Sequence, residues 1–270
     1  MRFALTIIES LFLMVSCRCF VIQSSRFMNN RLKAVLLSIL WCVIILLFPV
    51  SSGVIVTVCH LEGVTAIILQ GNFMLLSLVV PAIFLLFKKW SFKDIGFGKI
   101  TKEGLRNVLY FIPTILIFVP CAIKGFEVES IGYFFAVFYL YLFVGIAEEL
   151  YFRGIIPCFL GKAFDVKWVI IVSSLIFGLG HSVTVLTDGD ILMMVLTVVS
   201  ALIFGFMAVE MYFLCGSIVP GMIIHFLFDF ETKFILINGN DLLIAEIIRG
   251  GIMALIAVWF AISLRKKKRA

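Results

Sequence analysis

Six charged or ionisable side chains lie within apolar stretches of the second half of the chain: Glu148, Glu149, Arg153, His181, His225 and Asp229. An ionisable group inside a membrane-crossing helix costs about 2.5–3.5 kcal/mol on insertion scales, so each calls for a reason. Helical spacing sorts them. Glu149 and Arg153 stand four apart and can pair on one face. Glu148 points about 100° away from Glu149, which leaves it free of that arginine. His225 and Asp229 share a face, as do Phe177 and His181. Counted from the inner helix ends, Glu148 and His225 both lie roughly 12 Å deep.

These are parts for peptide hydrolysis. A carboxylate in an apolar site can act as general base toward water, and imidazoles with a small polar partner can stabilise the oxyanion that forms. A second arrangement of the same residues is zinc held by Glu148, His181 and His225 with one position open. The short-range motif H-E-x-x-H is absent, so such ligands would have to come from three helices. Two readings from other classes compete. Buried acids and histidines also mark the proton relays of ion-coupled transporters, although the inverted repeats and broken helices of that class are not visible in the sequence. A non-catalytic immunity or scaffold protein could keep the same residues for binding. Taken singly, Glu149–Arg153 reads as a structural clamp and each histidine as a hydrogen-bonded core residue.

The elements that position these residues must be membrane helices. The 270 residues are 63% hydrophobic and 14% charged, with a mean hydropathy of +1.20, against about 25% charge in an ordinary soluble domain. Most of the surface therefore faces lipid. The expected fold is all-α, a polytopic transmembrane helical bundle of about eight spans. Their approximate limits are 34–58, 64–87, 107–124, 131–156, 167–187, 190–214, 217–237 and 242–263. Residues 1–33 form an N-terminal segment that is either an extra span or a misassigned start, with Met28 as the alternative beginning; residues 34–270 form the transmembrane domain.

The net charge of +6 does not point to nucleic acid, because the basic residues fall in short runs between apolar stretches. Basic loops alternate with loops carrying His60 and Glu62, Glu127 and Glu129, Asp188 and Asp190, and Asp241. The basic tail Arg265–Arg269 then places the C-terminus in the cytoplasm. The loop 88–106, with Trp90, Phe92, Ile95 and Phe97 among lysines, reads as an interfacial amphipathic segment. Glu210 is expected to snorkel to the inner interface, and Glu231, Lys233, Glu246 and Arg249 to pair near the outer one. The seven cysteines are scattered, include no C-x-x-C pair, and read as apolar fillers.

Three stretches resemble the motifs of the CAAX prenyl protease and bacteriocin-processing family, also called Abi. Glu148-Glu149-Leu150-Tyr151-Phe152-Arg153 resembles E-E-x-x-x-R. Phe177-Gly178-Leu179-Gly180-His181 resembles F-x-x-x-H, and His225-Phe226-Leu227-Phe228-Asp229 resembles H-x-x-x-N/D. Order and spacing agree, and the resemblance covers a core of roughly residues 131–237. It implies an intramembrane endopeptidase acting on membrane-associated peptides or proteins, as in CAAX processing, leader, bacteriocin or signal-peptide processing, or self-immunity. By motif position, Glu148 and His181 would activate water while His225 and Asp229 stabilise the oxyanion, with Glu149, Arg153 and Phe177 in support. Asp229 stands where the prenyl endopeptidases typically have Asn. An Asp donates a hydrogen bond only when protonated, so the alternative role is to orient His225. The resemblance leaves both a metal-free glutamate mechanism and a zinc mechanism open. The partners implied are the lipid bilayer, expected to be a bacterial plasma membrane, and an unprenylated peptide or small membrane protein.

Overall fold

A computed structural model describes residues 30–98, 109–184 and 191–269. The N-terminal segment and parts of the loops at 99–108 and 185–190 lie outside the described residues, and so does the choice between an extra span and a later start. Each of the eight apolar stretches is helical. They are α1 (Asn30–Val58), α2 (Gly63–Lys88), α3 (Phe111–Ala122), α4 (Ile131–Leu160), α5 (Val166–Gly180), α6 (Ile191–Cys215), α7 (Val219–Glu231) and α8 (Gly239–Arg269). Six of the helical runs are long and apolar enough to cross a membrane, α5 together with the turn that extends it to Val183; α3 and α7 are shorter. The described residues form no strand, only two isolated bridges, Phe97 with Ser217 and Phe126 with Ile235.

Proline explains why α3 falls short. Pro113 and Pro120 interrupt it, so its first part is a 3₁₀ run and its last an isolated α-turn. Helix α7 is bounded at its start by Gly216, whose φ of +75° suits glycine, and by Pro220 in its first turn. Local chemistry also fixes the starts of α4 and α5. Ser130 accepts a hydrogen bond from the Tyr133 amide at 3.1 Å, and Asp165 accepts one from Trp168 at 3.2 Å, each satisfying an orphan donor of the first turn.

Close packing among α2, α4, α5, α6 and α7 depends on small residues at helix crossings. A Cβ on Gly145 of α4 would stand 3.0 Å from the Phe226 amide nitrogen and 3.1 Å from the Met222 carbonyl of α7. A Cβ on Gly178 of α5 would meet Leu202 of α6 at backbone distance, 3.0 Å from its Cα. These are the near-backbone approaches that membrane bundles use in place of a hydrophobic driving force.

Two breaks in helical regularity serve the second half of α2 and the middle of α4. Pro81 has no N–H to offer Ser77, and the Ser77 carbonyl instead accepts from the Tyr151 hydroxyl at 2.9 Å. Tyr151 itself lies in a π-turn, Leu150–Ile155, directly after Glu148 and Glu149. Every residue of that turn is buried. The segment around Ile95 packs against it. A Cβ on Gly154 would stand 2.7 Å from the Ile95 carbonyl, and the Ile218 amide donates to Gly96 at 2.9 Å. Within this segment Phe92 is exposed while Ile95 is fully buried against the protein.

One expectation about charge is corrected. Glu210 does not reach the interface: it is 5% exposed, in a stretch of α6 where Met207, Ala208, Val209 and Met211 are all buried as well. Arg249 finds the acidic partners expected of it, and does so away from solvent. It is fully buried, pairs with Glu231 at 2.8 Å and Glu246 at 3.2 Å, and donates to the Ile117 carbonyl at 3.1 Å. The irregular α3 leaves that carbonyl available, which is how a buried guanidinium is satisfied here.

Candidate active site

The six residues singled out by type come together. Helix α4 delivers Glu148, Glu149 and Arg153 around the start of the π-turn; α5 delivers His181 as its C-terminal capping residue; α7 delivers His225 and Asp229. Glu149 is the fixed one. It is fully buried, and its Oε1 lies 2.8 Å from both the Arg153 guanidinium and the His225 Nδ1. A carboxylate held by arginine is an acceptor, so Nδ1 of His225 carries the proton of that bond. Nε2 then faces the other acids, 3.7 Å from Glu148 Oε2 and 3.5 Å from Asp229 Oδ2.

His181 is oriented by the same logic. Its Nδ1 lies 2.9 Å from the Phe177 carbonyl, which can only accept, so Nδ1 donates and Nε2 turns toward Glu148 Oε2 at 4.0 Å. Glu148 therefore sits between two imidazole edges, at separations too long for direct hydrogen bonds and short enough for one bridging water. Exposure separates the roles. Glu149, Arg153 and His225 are sealed, whereas the side chains of Glu148, His181 and Asp229 retain 19%, 27% and 25% exposure.

Aromatic rings wall the cluster. Phe177 packs against His181 with centroids 4.7 Å apart and lies under the Arg153 guanidinium at 4.1 Å, a stacking that keeps an arginine stable away from water. Phe204 of α6 stands 4.9 Å from His225 and also faces Arg153. The sequence gives no signal for Phe204, one of 29 phenylalanines. Gly221 also escapes the motif pattern. A Cβ there would stand 2.9 Å from Glu149 Oε2, so α7 presents bare backbone to that carboxylate. Its position, one turn before His225, is the signal that could have found it.

The geometry does not favour the suggested zinc site. Among the described residues, no set of three His, Cys, Asp or Glu side chains converges closely enough to hold a metal ion, and Glu148, His181 and His225 are no exception.

Residues 130–230 match the family model Rce1-like, type II CAAX prenyl endopeptidase. The Rce1-like segment begins at the capping serine of α4, ends beside Glu231 of α7, and so contains all six residues of the cluster. It is the family that the three motifs resemble. At the family level, the Rce1-like match supports a CAAX-protease-type intramembrane endopeptidase in an integral membrane protein. No curated protein matches the chain.

Proposed function

We propose that the protein is a glutamate-dependent intramembrane endopeptidase that hydrolyses peptide bonds of membrane-associated peptides or small membrane proteins. The observation that carries this reading is the unequal treatment of two adjacent acids: Glu149 is locked by Arg153 and His225, while Glu148 is partly exposed and faces two imidazole nitrogens. In the reaction, Glu148 takes a proton from water held between it and His181, and the resulting hydroxide equivalent adds to the scissile carbonyl. His225, oriented through Nδ1 by Glu149, presents Nε2 near Glu148 Oε2 and Asp229 Oδ2. As an imidazolium among these carboxylates, His225 carries a second proton on Nε2, and that N–H donates to the developing oxyanion. Collapse of the tetrahedral species returns the proton from Glu148 to the leaving amine.

Glu149 and Arg153 are positioning residues in this scheme, because neither reaches the exposed side. Substrates without a prenyl group suit the expected bacterial membrane, with leader, bacteriocin-like or signalling peptides as the class. The test is cleavage of membrane peptides by purified protein. Glu148→Gln is expected to lower the rate about 10²–10⁴-fold, the ordinary contribution of a general base. Unchanged cleavage in that variant overturns the reading. A rate that falls with chelator and returns with zinc would replace the metal-free step with the metal one.

A further inference from the structure

Helix α7 brings two residues to the site, and its two halves are held by different partners. The first half is pinned to α4. The Gly221 backbone faces the Glu149 carboxylate, Met222 and Phe226 meet Gly145 through their backbones, and His225 Nδ1 donates to Glu149 at 2.8 Å. Asp229 lies one turn beyond these contacts, with Oδ2 3.5 Å from His225 Nε2. The second half is gripped from α8. The backbone of α8 packs against α3 and α6, and the buried Arg249 side chain carries its reach to α7. Nη2 donates to Glu231 at 2.8 Å, Nη1 to Glu246 at 3.2 Å and Nε to the Ile117 carbonyl at 3.1 Å. The guanidinium also covers the Phe228 ring at 4.7 Å. Phe228 packs on Phe204 at 5.4 Å, and Phe204 on His225 at 4.9 Å.

Phe228 and Glu231 bracket Asp229 in the sequence, and on a helix they share a face about 60° wide. Asp229 points about 100° away from Phe228 and about 160° away from Glu231. Arg249 therefore holds the back of the helix that presents Asp229. Phe230 packs on α4 as well, with its ring 5.4 Å from Phe134, but apolar rings tolerate a small rotation. A guanidinium with all three nitrogens engaged fixes direction as well as distance. Rotation matters here. A turn of about 20° at the Cα radius of about 2.3 Å moves a Cα by about 0.8 Å, and a misplacement of about 1 Å can cost about 10²-fold in rate. Arg249, Glu231 and Glu246 all lie beyond the segment 130–230 that matches the family model.

We propose that Arg249 is a positioning residue for the reaction: by holding Phe228 and Glu231 it sets the rotation of α7, and with it the placement of Asp229 beside the Nε2 edge of His225. An ion pair that served stability alone would couple to no particular side chain of the site. Arg249 couples to one. The consequence for catalysis rests on the protease reading, whereas the placement of Asp229 is a structural property that can be read without turnover.

The experiment uses the full-length protein in detergent and two variants that keep most of the network. Glu231→Gln preserves shape and leaves Arg249 paired with Glu246, and Arg249→Lys keeps the charge but loses the fork. Both are assayed well below their thermal midpoints. Each is expected to lower kcat about tenfold while KM stays within about threefold. In an Asp229→Ala background the same substitutions should cost less than about threefold further, because their effect runs through the residue already removed. The chain has three histidines, so NMR of ¹⁵N-histidine-labelled protein supplies the second readout. Both variants should move the His225 imidazole signal toward its position in Asp229→Asn, while that of His60, in the turn after α1, stays where it is. An unmoved His225 signal overturns the proposal, and so does a kcat that holds at the wild-type value or falls equally with and without Asp229. Wild-type protein that cuts no membrane peptide sinks the hydrolase reading instead, and the imidazole signals still decide whether Arg249 places Asp229.

Discussion

At the scale of single residues, the site works by giving two neighbouring carboxylates different surroundings. Arg153 is buried with Glu149 and His225, so its removal strands a carboxylate beside an imidazole in an apolar wall. Arg153→Met is expected to destabilise the protein by about 3–5 kcal/mol, seen as a lowered thermal midpoint in detergent, whereas Glu148→Gln should leave that midpoint within a degree or two of wild type. Asp229 can be tested by its chemistry. An amide offers the N–H that an ionised carboxylate lacks. Asp229→Asn should therefore keep activity within about tenfold of wild type, while Asp229→Ala should lose about 10²-fold or more. Equal rates in the two variants would remove Asp229 from the oxyanion side.

At the scale of elements, the distance between acid and histidine is set by how closely α4 and α7 approach, and Gly145 sets that approach. A methyl group there meets backbone atoms of α7 at 3.0 and 3.1 Å, and backbone cannot swing aside as a flexible side-chain tip can. Gly145→Ala is expected to cost about 1–3 kcal/mol as an overpacked contact. It should also cut peptide cleavage more than it cuts peptide binding, because it moves Glu148 relative to His225. A control is Gly53→Ala on α1, where the added carbon meets nothing within 4 Å. The π-turn is the second device at this scale. It follows the acids immediately, and its irregular backbone is held by the Tyr151–Ser77 hydrogen bond and by the Ile95 backbone packed against Gly154. Single-turn π insertions of this kind recur at functional sites.

At the scale of the molecule, the spacing of six polar residues made the site legible, because polar groups in lipid-facing sequence stand out against an apolar background. Glu149–Arg153 pairing and the free Glu148 follow directly from a four-residue and a one-residue offset. Three things were not legible. Phe204 is an apolar residue among apolar residues, and only the tertiary fold distinguishes it. The burial of Glu210 and Arg249 depends on which helices surround α6 and α8, which local periodicity does not encode. The shortening of α3 follows from paired prolines whose effect hydropathy alone overlooks. The alternation of basic loops remains a whole-chain prediction. A fluorescent or phosphatase reporter joined after the Arg265–Arg269 run should report a cytoplasmic C-terminus, and a signal from the opposite side of the membrane would invert the whole arrangement.

The brevity of α7 has a consequence for what must cover its start. Thirteen residues rise about 20 Å, against about 30 Å of hydrocarbon. The shortfall before its first turn is filled by Gly216, Ser217 and the segment that bridges to Ser217 at Phe97 rather than by more helix. Non-helical peptide is tolerated at such depth only where protein shields it or solvent wets it. Ser217 and Ile218 are 1% exposed, so here the protein itself is the shield: the segment at Phe97 stands in for the missing turns, and its removal should lay bare polar backbone at that depth.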